Sequence, residues 1–174
     1  MTLRSRIDVP PPPQAKRRWK VASVSVPGTS HQAGALPCQD RCGSFTAGDV
    51  IWIAIADGAG TAIKSEQGSA IAIRVALLSI FHNHLDCGDL RNPSLAEKIL
   101  RNALAEAKKA VDEYALHSGL KPTDLATTLS VVLGCPDFAA AAQIGDGATI
   151  IGDHDSNLIT LTGQRQSFLP TADN

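Results

Sequence analysis

An α+β protein with a mainly antiparallel sheet is the fold class that the sequence predicts. Strand-like apolar runs come first and last, and two helical patterns stand consecutively between them. The closing strands are short and joined by tight turns. This order does not alternate as βαβα, so it argues against a doubly wound parallel sheet. A chain of 174 residues is long enough for one domain with a real core. With 44% hydrophobic residues and only 4% aromatic ones, that core is built from Ala, Ile, Leu and Val.

The first 18 residues are basic and contain Pro10, Pro11, Pro12 and Pro13, which predicts an extended polyproline tail. The domain proper is expected over 19–174. Residues 19–26 alternate, with Trp19, Val21, Val24 and Val26 apolar, and predict a strand that Pro27-Gly28 ends. A polar loop over 28–41 follows, then a short strand at 43–46. Ala47-Gly48-Asp49 turns the chain into an apolar run at 50–56, an antiparallel pair.

A helix is expected from about Ser65 to Leu85, with almost no polar face and therefore mostly buried. A second helix is expected from Ser94, with Ser94 and Glu97 forming a capping box. Its apolar residues Leu95, Ile99, Ala103, Ala107, Val111 and Tyr114 make one stripe, and Glu97 pairs with Arg101 outside it. Gly119 is the natural cap and Pro122 prevents continuation. Strands are then expected at 127–133, 138–144, 148–151 and 158–161, separated by turns at 136–137, 145–147 and 153–157.

Net charge is −1 but uneven: residues 1–20 carry +5 and the remainder −6. An acidic body does not suit nucleic acid; aspartates in glycine turns suit a hard cation. Cys38, Cys42, Cys87 and Cys135 make neither a disulfide framework nor a spaced zinc set, and are read as reduced thiols. No apolar leader or membrane-length run is present, so a soluble cytoplasmic protein is expected, with no membrane partner.

The chemistry concentrates on Asp40, Asp57 and Asp146. Asp57 ends a strand buried on both faces and is followed by Gly58-Ala59-Gly60; Asp146 follows the run 138–144. Each Asp-Gly pair also reads as an ordinary turn. If antiparallel strands bring these ends together, the carboxylates repel unless protonated or bridged by a cation. Hard oxygen ligands select Mg²⁺ or Mn²⁺, and such a site activates water for phosphoryl hydrolysis without a protein nucleophile. There is no Walker loop, EF-hand spacing or nucleophile elbow.

The ordered set of Gly28-Thr29-Ser30-His31, Cys38-Gln39-Asp40, Ala56-Asp57-Gly58-Ala59-Gly60, Ala126-Thr127-Thr128 and Ile144-Gly145-Asp146-Gly147 resembles the metal-dependent protein phosphatase 2C family. It is closest to a bacterial branch whose metal turn reads Asp-Gly-Ala-Gly. The resemblance covers about residues 19–170. It implies an αββα four-layer sandwich of two antiparallel sheets flanked by helices. It implies Asp57 as a carboxylate bridging two metals, the Gly58 carbonyl as a further ligand, Asp40 as the residue holding a water on the metal, and Asp146 as a ligand of a third metal. The implied cofactors are Mg²⁺ or Mn²⁺, and the implied reaction is hydrolysis of phosphoserine or phosphothreonine in a protein substrate.

Three departures qualify the resemblance. Many members carry a histidine, proposed as general acid, where this chain has Ala59. Many also carry an upstream phosphate-gripping arginine, and none lies between Gly28 and Cys38; His31 is the candidate phosphate contact instead. The family takes two further metal-binding aspartates from a later segment, so residues 19–174 are expected to represent the N-terminal two-thirds of the domain. The alternative function is a catalytically weak or inactive phosphatase-like domain that binds and regulates a partner. An unrelated α+β binding module, with Asp40, Asp57 and Asp146 on separate surfaces, is a third.

Overall fold

The computed structural model describes residues 19–29, 37–85, 90–152 and 158–162. Four strands form one antiparallel sheet in the order β1-β2-β3-β4: β1 is Arg41–Ala47, β2 Val50–Ala56, β3 Leu129–Gly134 and β4 Ala139–Ile144. The strands β5 (Thr149–Gly152) and β6 (Leu158–Thr162) form a second, two-stranded antiparallel sheet. The helices α1 (Ser65–Leu85) and α2 (Pro93–Ser118) pack on each other and on the larger sheet, α1 over β1 and β2 and α2 over β3 and β4. The α+β class and the antiparallel sheets are as the sequence predicts.

The packing follows from period-2 and period-3.6 patterns meeting. Trp52, Ala54 and Ala56 of β2, with Leu129, Val131 and Leu133 of β3, are fully buried under the helices. Small residues line the facing helices, Ala72 and Ala76 on α1 and Ala96, Ala103, Ala107 and Ala115 on α2, so the backbones approach closely. Trp52 fills the space this leaves, its ring 6.5 Å from that of Phe45, which in turn meets Phe81 edge-on at 5.8 Å. At Gly68 a Cβ would stand 2.0 Å from the carbonyl oxygen of Leu125, so only glycine lets the 3-10 turn Pro122–Leu125 rest on α1.

Four expectations need correction. Residues 19–26 form no strand; Val21–Val26 lie across the sheet face away from the helices, with Ser25 Oγ 3.6 Å from Cys42 Sγ. Alternating apolar residues cover an apolar face as well as they fill a ladder, so period 2 alone does not distinguish the two. Trp19 anchors the start of this segment, its Nε1 donating to the Asp49 carbonyl at 2.7 Å. The cap of α2 is Asn92, which accepts from Ser94 N at 3.1 Å with Pro93 at the first helical position; Ser94 is already inside the helix. α1 is not mostly buried: Leu78 and Phe81 are 49% and 45% exposed, and Leu78 lines a groove of about 550 Å³ with Val75, His82, Asn102 and Glu106. Finally, the strand expected at 127–133 starts at Leu129, with Thr127 instead bridging Gly58.

The expected Glu97–Arg101 pair is present at 2.7 Å, and Gly119 caps α2 in the left-handed conformation. No helix among the described residues is long and apolar enough to cross a membrane. The predicted tail 1–18 lies outside the described residues.

Candidate metal centre

Antiparallel pairing brings four strand ends to one end of the sheet. Arg41 pairs with Ala56, so Asp40 and Asp57 stand just beyond the last rung of β1 and β2. Leu129 pairs with Ile144, so Thr127 and Thr128 leave β3 beside the turn that carries Asp146. An isolated bridge between Gly58 and Thr127 ties the two halves together.

Asp57 is held through its backbone. Its N–H donates to Thr128 Oγ1 at 2.9 Å, and its carbonyl accepts from Thr128 N at 2.8 Å and from Thr127 Oγ1 at 3.0 Å. Both threonines are buried. Gly58 is required by crowding: a Cβ there would lie 2.8 Å from the Gln39 carbonyl oxygen and 2.8 Å from Ser65 Cβ. The loop before β1 is braced in turn, with Ser69 Oγ donating to the Gln39 carbonyl at 2.6 Å and Arg41 Nη1 to the carbonyls of Cys38 and Asp40, each at 2.8 Å.

The side chains meet at Asp57. Its carboxyl is pushed up to about 6 from 3.8, by partial desolvation first, then by a hydrogen bond to Asp40 and the charges of Asp40 and Asp146. Among the described residues, no group of three or more His, Cys, Asp or Glu side chains encloses a metal site by itself. Asp57 and Asp40 make a carboxylate pair, with the charge of Asp146 acting through space. Such a set fits Mg²⁺ or Mn²⁺, because a small hard cation keeps several waters and takes few protein oxygens. The guanidinium of Arg41 donates to the main-chain carbonyls of Cys38 and Asp40 and not to these carboxylates.

The protein phosphatase 2C family profile matches residues 27–169. The chain belongs to that family. It is 27% identical over 138 residues to the serine/threonine-protein phosphatase 3 of Escherichia coli (strain K12). That match takes in 76% of this chain and 53% of the relative, so this phosphatase 2C chain spans about half the length of the curated relative it matches.

Of the sequence-predicted residues, Asp40, Asp57 and Asp146 stand at one end of the sheet, not on separate surfaces. Gly58 adjoins Asp57 and is buried. His31 lies outside the described residues. At Ala59 the backbone N–H is bound to the Ala126 carbonyl at 2.9 Å, and the side chain offers no acid. Sequence reasoning missed Ser69, Arg41 and Gln143 as supports. Only Gln143 leaves a trace, as the one polar residue in the run 138–144. Its Nε2 donates to the carbonyls of Gly145 and Gly147, on either side of Asp146.

Proposed function

We propose that this chain contributes to a metal-dependent phosphatase that hydrolyses phosphoserine or phosphothreonine in proteins. The observation that carries the reading is the meeting of Asp40, Asp57 and Asp146 at one end of a sheet in a chain of this family. Asp57, the Gly58 carbonyl and Asp146 would hold Mg²⁺ or Mn²⁺, with Asp40 holding a water on the metal. When bound, the cation supplies Lewis acidity toward a phosphoryl oxygen and acidifies water.

The chain's own residues have separate tasks in this reading. Thr127 and Thr128 fix the Asp57 backbone, so its carboxylate is presented without reorganisation. Gly58 allows the loop to lie against Gln39 and the start of α1. Ala59 donates no proton, so this position does not supply the general acid. His31 is proposed as the phosphate contact, and His31→Ala is expected to raise KM. A phosphorylated protein is the proposed partner, and the cytoplasm the proposed compartment.

The second reading is a weakly active or inactive regulatory domain. Ala59 in place of an acid favours it. The test is Mn²⁺-dependent hydrolysis of para-nitrophenyl phosphate and of a phosphothreonine peptide by the protein expressed from its full reading frame. Activity that disappears in Asp57→Asn supports the enzyme. Metal binding without turnover supports the regulatory reading, and neither binding nor turnover sinks the first.

A further inference from the structure

Gln143 stands on β4 on the side away from the helices, since its neighbours Ala142 and Ile144 pack against the core. Its amide is satisfied three times over. Nε2 donates to the Gly145 carbonyl at 3.2 Å and to the Gly147 carbonyl at 2.6 Å. Oε1 accepts from Thr162 Oγ1, and the same hydroxyl accepts from Thr149 N at 3.1 Å. The amide orientation is fixed by this network, because the flipped amide would set its oxygen against two carbonyls. One side chain thus grips the carbonyls of the residues before and after Asp146 and joins them to β5 and β6.

We propose that Gln143 is the positioning residue for Asp146. It holds the 145–147 turn in the conformation that presents the carboxylate toward Asp57, and it makes that presentation depend on the pairing of β5 with β6 through Thr162. The consequence for metal binding rests on the proposed function; the positioning itself does not.

The experiment compares the full-length wild type with Asp57→Asn, Asp146→Asn, Gln143→Met, Gln143→Glu and the double variant Gln143→Met/Asp146→Asn. Two readouts are taken: Mn²⁺ affinity by calorimetry, and amide hydrogen exchange over 145–149 in EDTA. Gln143→Met keeps the length and removes the donors; Gln143→Glu sets a carboxylate against the two carbonyls. Both are expected to speed exchange at 145–149 by about tenfold while exchange in α2 and β2 stays unchanged. Gln143→Met is expected to weaken Mn²⁺ as far as Asp146→Asn does, within about twofold, and the double variant no further, since residues acting as one unit are not additive. Unchanged exchange in Gln143→Met overturns the positioning. Faster exchange with wild-type Mn²⁺ affinity, while Asp146→Asn binds weakly, overturns the link to the site and leaves the proposed function standing. Wild-type Mn²⁺ affinity in Asp57→Asn overturns the proposed function instead, and the exchange result alone then decides the role of Gln143.

Discussion

Asp57 and Thr128 are joined by two hydrogen bonds of opposite sense: Asp57 N–H to Thr128 Oγ1 at 2.9 Å, and Thr128 N–H to the Asp57 carbonyl at 2.8 Å. They are 71 residues apart in the chain, so the pairing exists only because β3 enters the sheet beside β2. The first carboxylate of the candidate centre is therefore aimed by a residue from the second half of the chain. Thr128→Val keeps the shape and deprives the Asp57 N–H of its acceptor. A loss of about 1–2 kcal/mol in urea unfolding is expected, with Thr128→Ser close to wild type. Equal stability of all three proteins would mean that water replaces the hydroxyl.

Asp57→Asn is expected to abolish Mn²⁺-dependent turnover, by at least about 100-fold. It should also stabilise the metal-free protein at pH 7, because one of two adjoining charges is gone. The gain is of order 1 kcal/mol, below what the shift would imply for a buried group, since Asp57 is solvent-exposed and screened. A variant less stable than wild type in EDTA would contradict the repulsion.

The same carboxyl sets a pH dependence. Its folded pKa of about 6 lies above the ordinary 3.8, so the folded state binds the extra proton between those values. The Asp57 contribution to metal-free stability is accordingly most favourable below pH 3.8 and is lost as the pH rises through 6. Metal affinity moves the other way and should fall as the pH drops below 6, because cation and proton compete for one carboxylate. Titrating Mn²⁺ affinity between pH 5 and 7.5 checks this, and a flat profile would count against it.

Gly58→Ala should be costly despite its size. The new methyl meets the Gln39 carbonyl, which Ser69 holds in place, and the backbone-fixed Ser65 Cβ. A penalty of about 1–3 kcal/mol is expected. Thermal unfolding should show a fall of roughly 2–10 °C.

Trp52→Ala removes the largest buried side chain between the sheet and the helices. About 3–5 kcal/mol is expected from lost burial and the remaining cavity. Trp52→Phe should recover much of it. Chemical denaturation of the three proteins decides whether the Phe45–Trp52–Phe81 cluster is the structural centre.

Much of the local structure was legible. β2 and α1 have the bounds that the apolar runs predict, and Gly119 stops α2 where a left-handed cap is needed. Asp57 and Asp146 could be singled out because carboxylates at the ends of apolar runs are costly unless paired, and Asp40 by the resemblance of Cys38-Gln39-Asp40. Gln143 and Arg41 could not be assigned roles, since their hydrogen bonds go to backbone carbonyls that carry no signature in the sequence.

The sequence by itself determined the element types, most turns and the three candidate carboxylates, because propensity, capping and periodicity act within a few residues. Tertiary structure alone decided that β3 lies between β2 and β4, that residues 19–26 cover a face instead of joining an edge, and that Asp57 stands close enough to Asp40 and Asp146 for their charges to raise its pKa. Those outcomes depend on which distant surfaces are buried together. Two alternating patterns can satisfy the same local rules, and only the packing of the whole core selects between them.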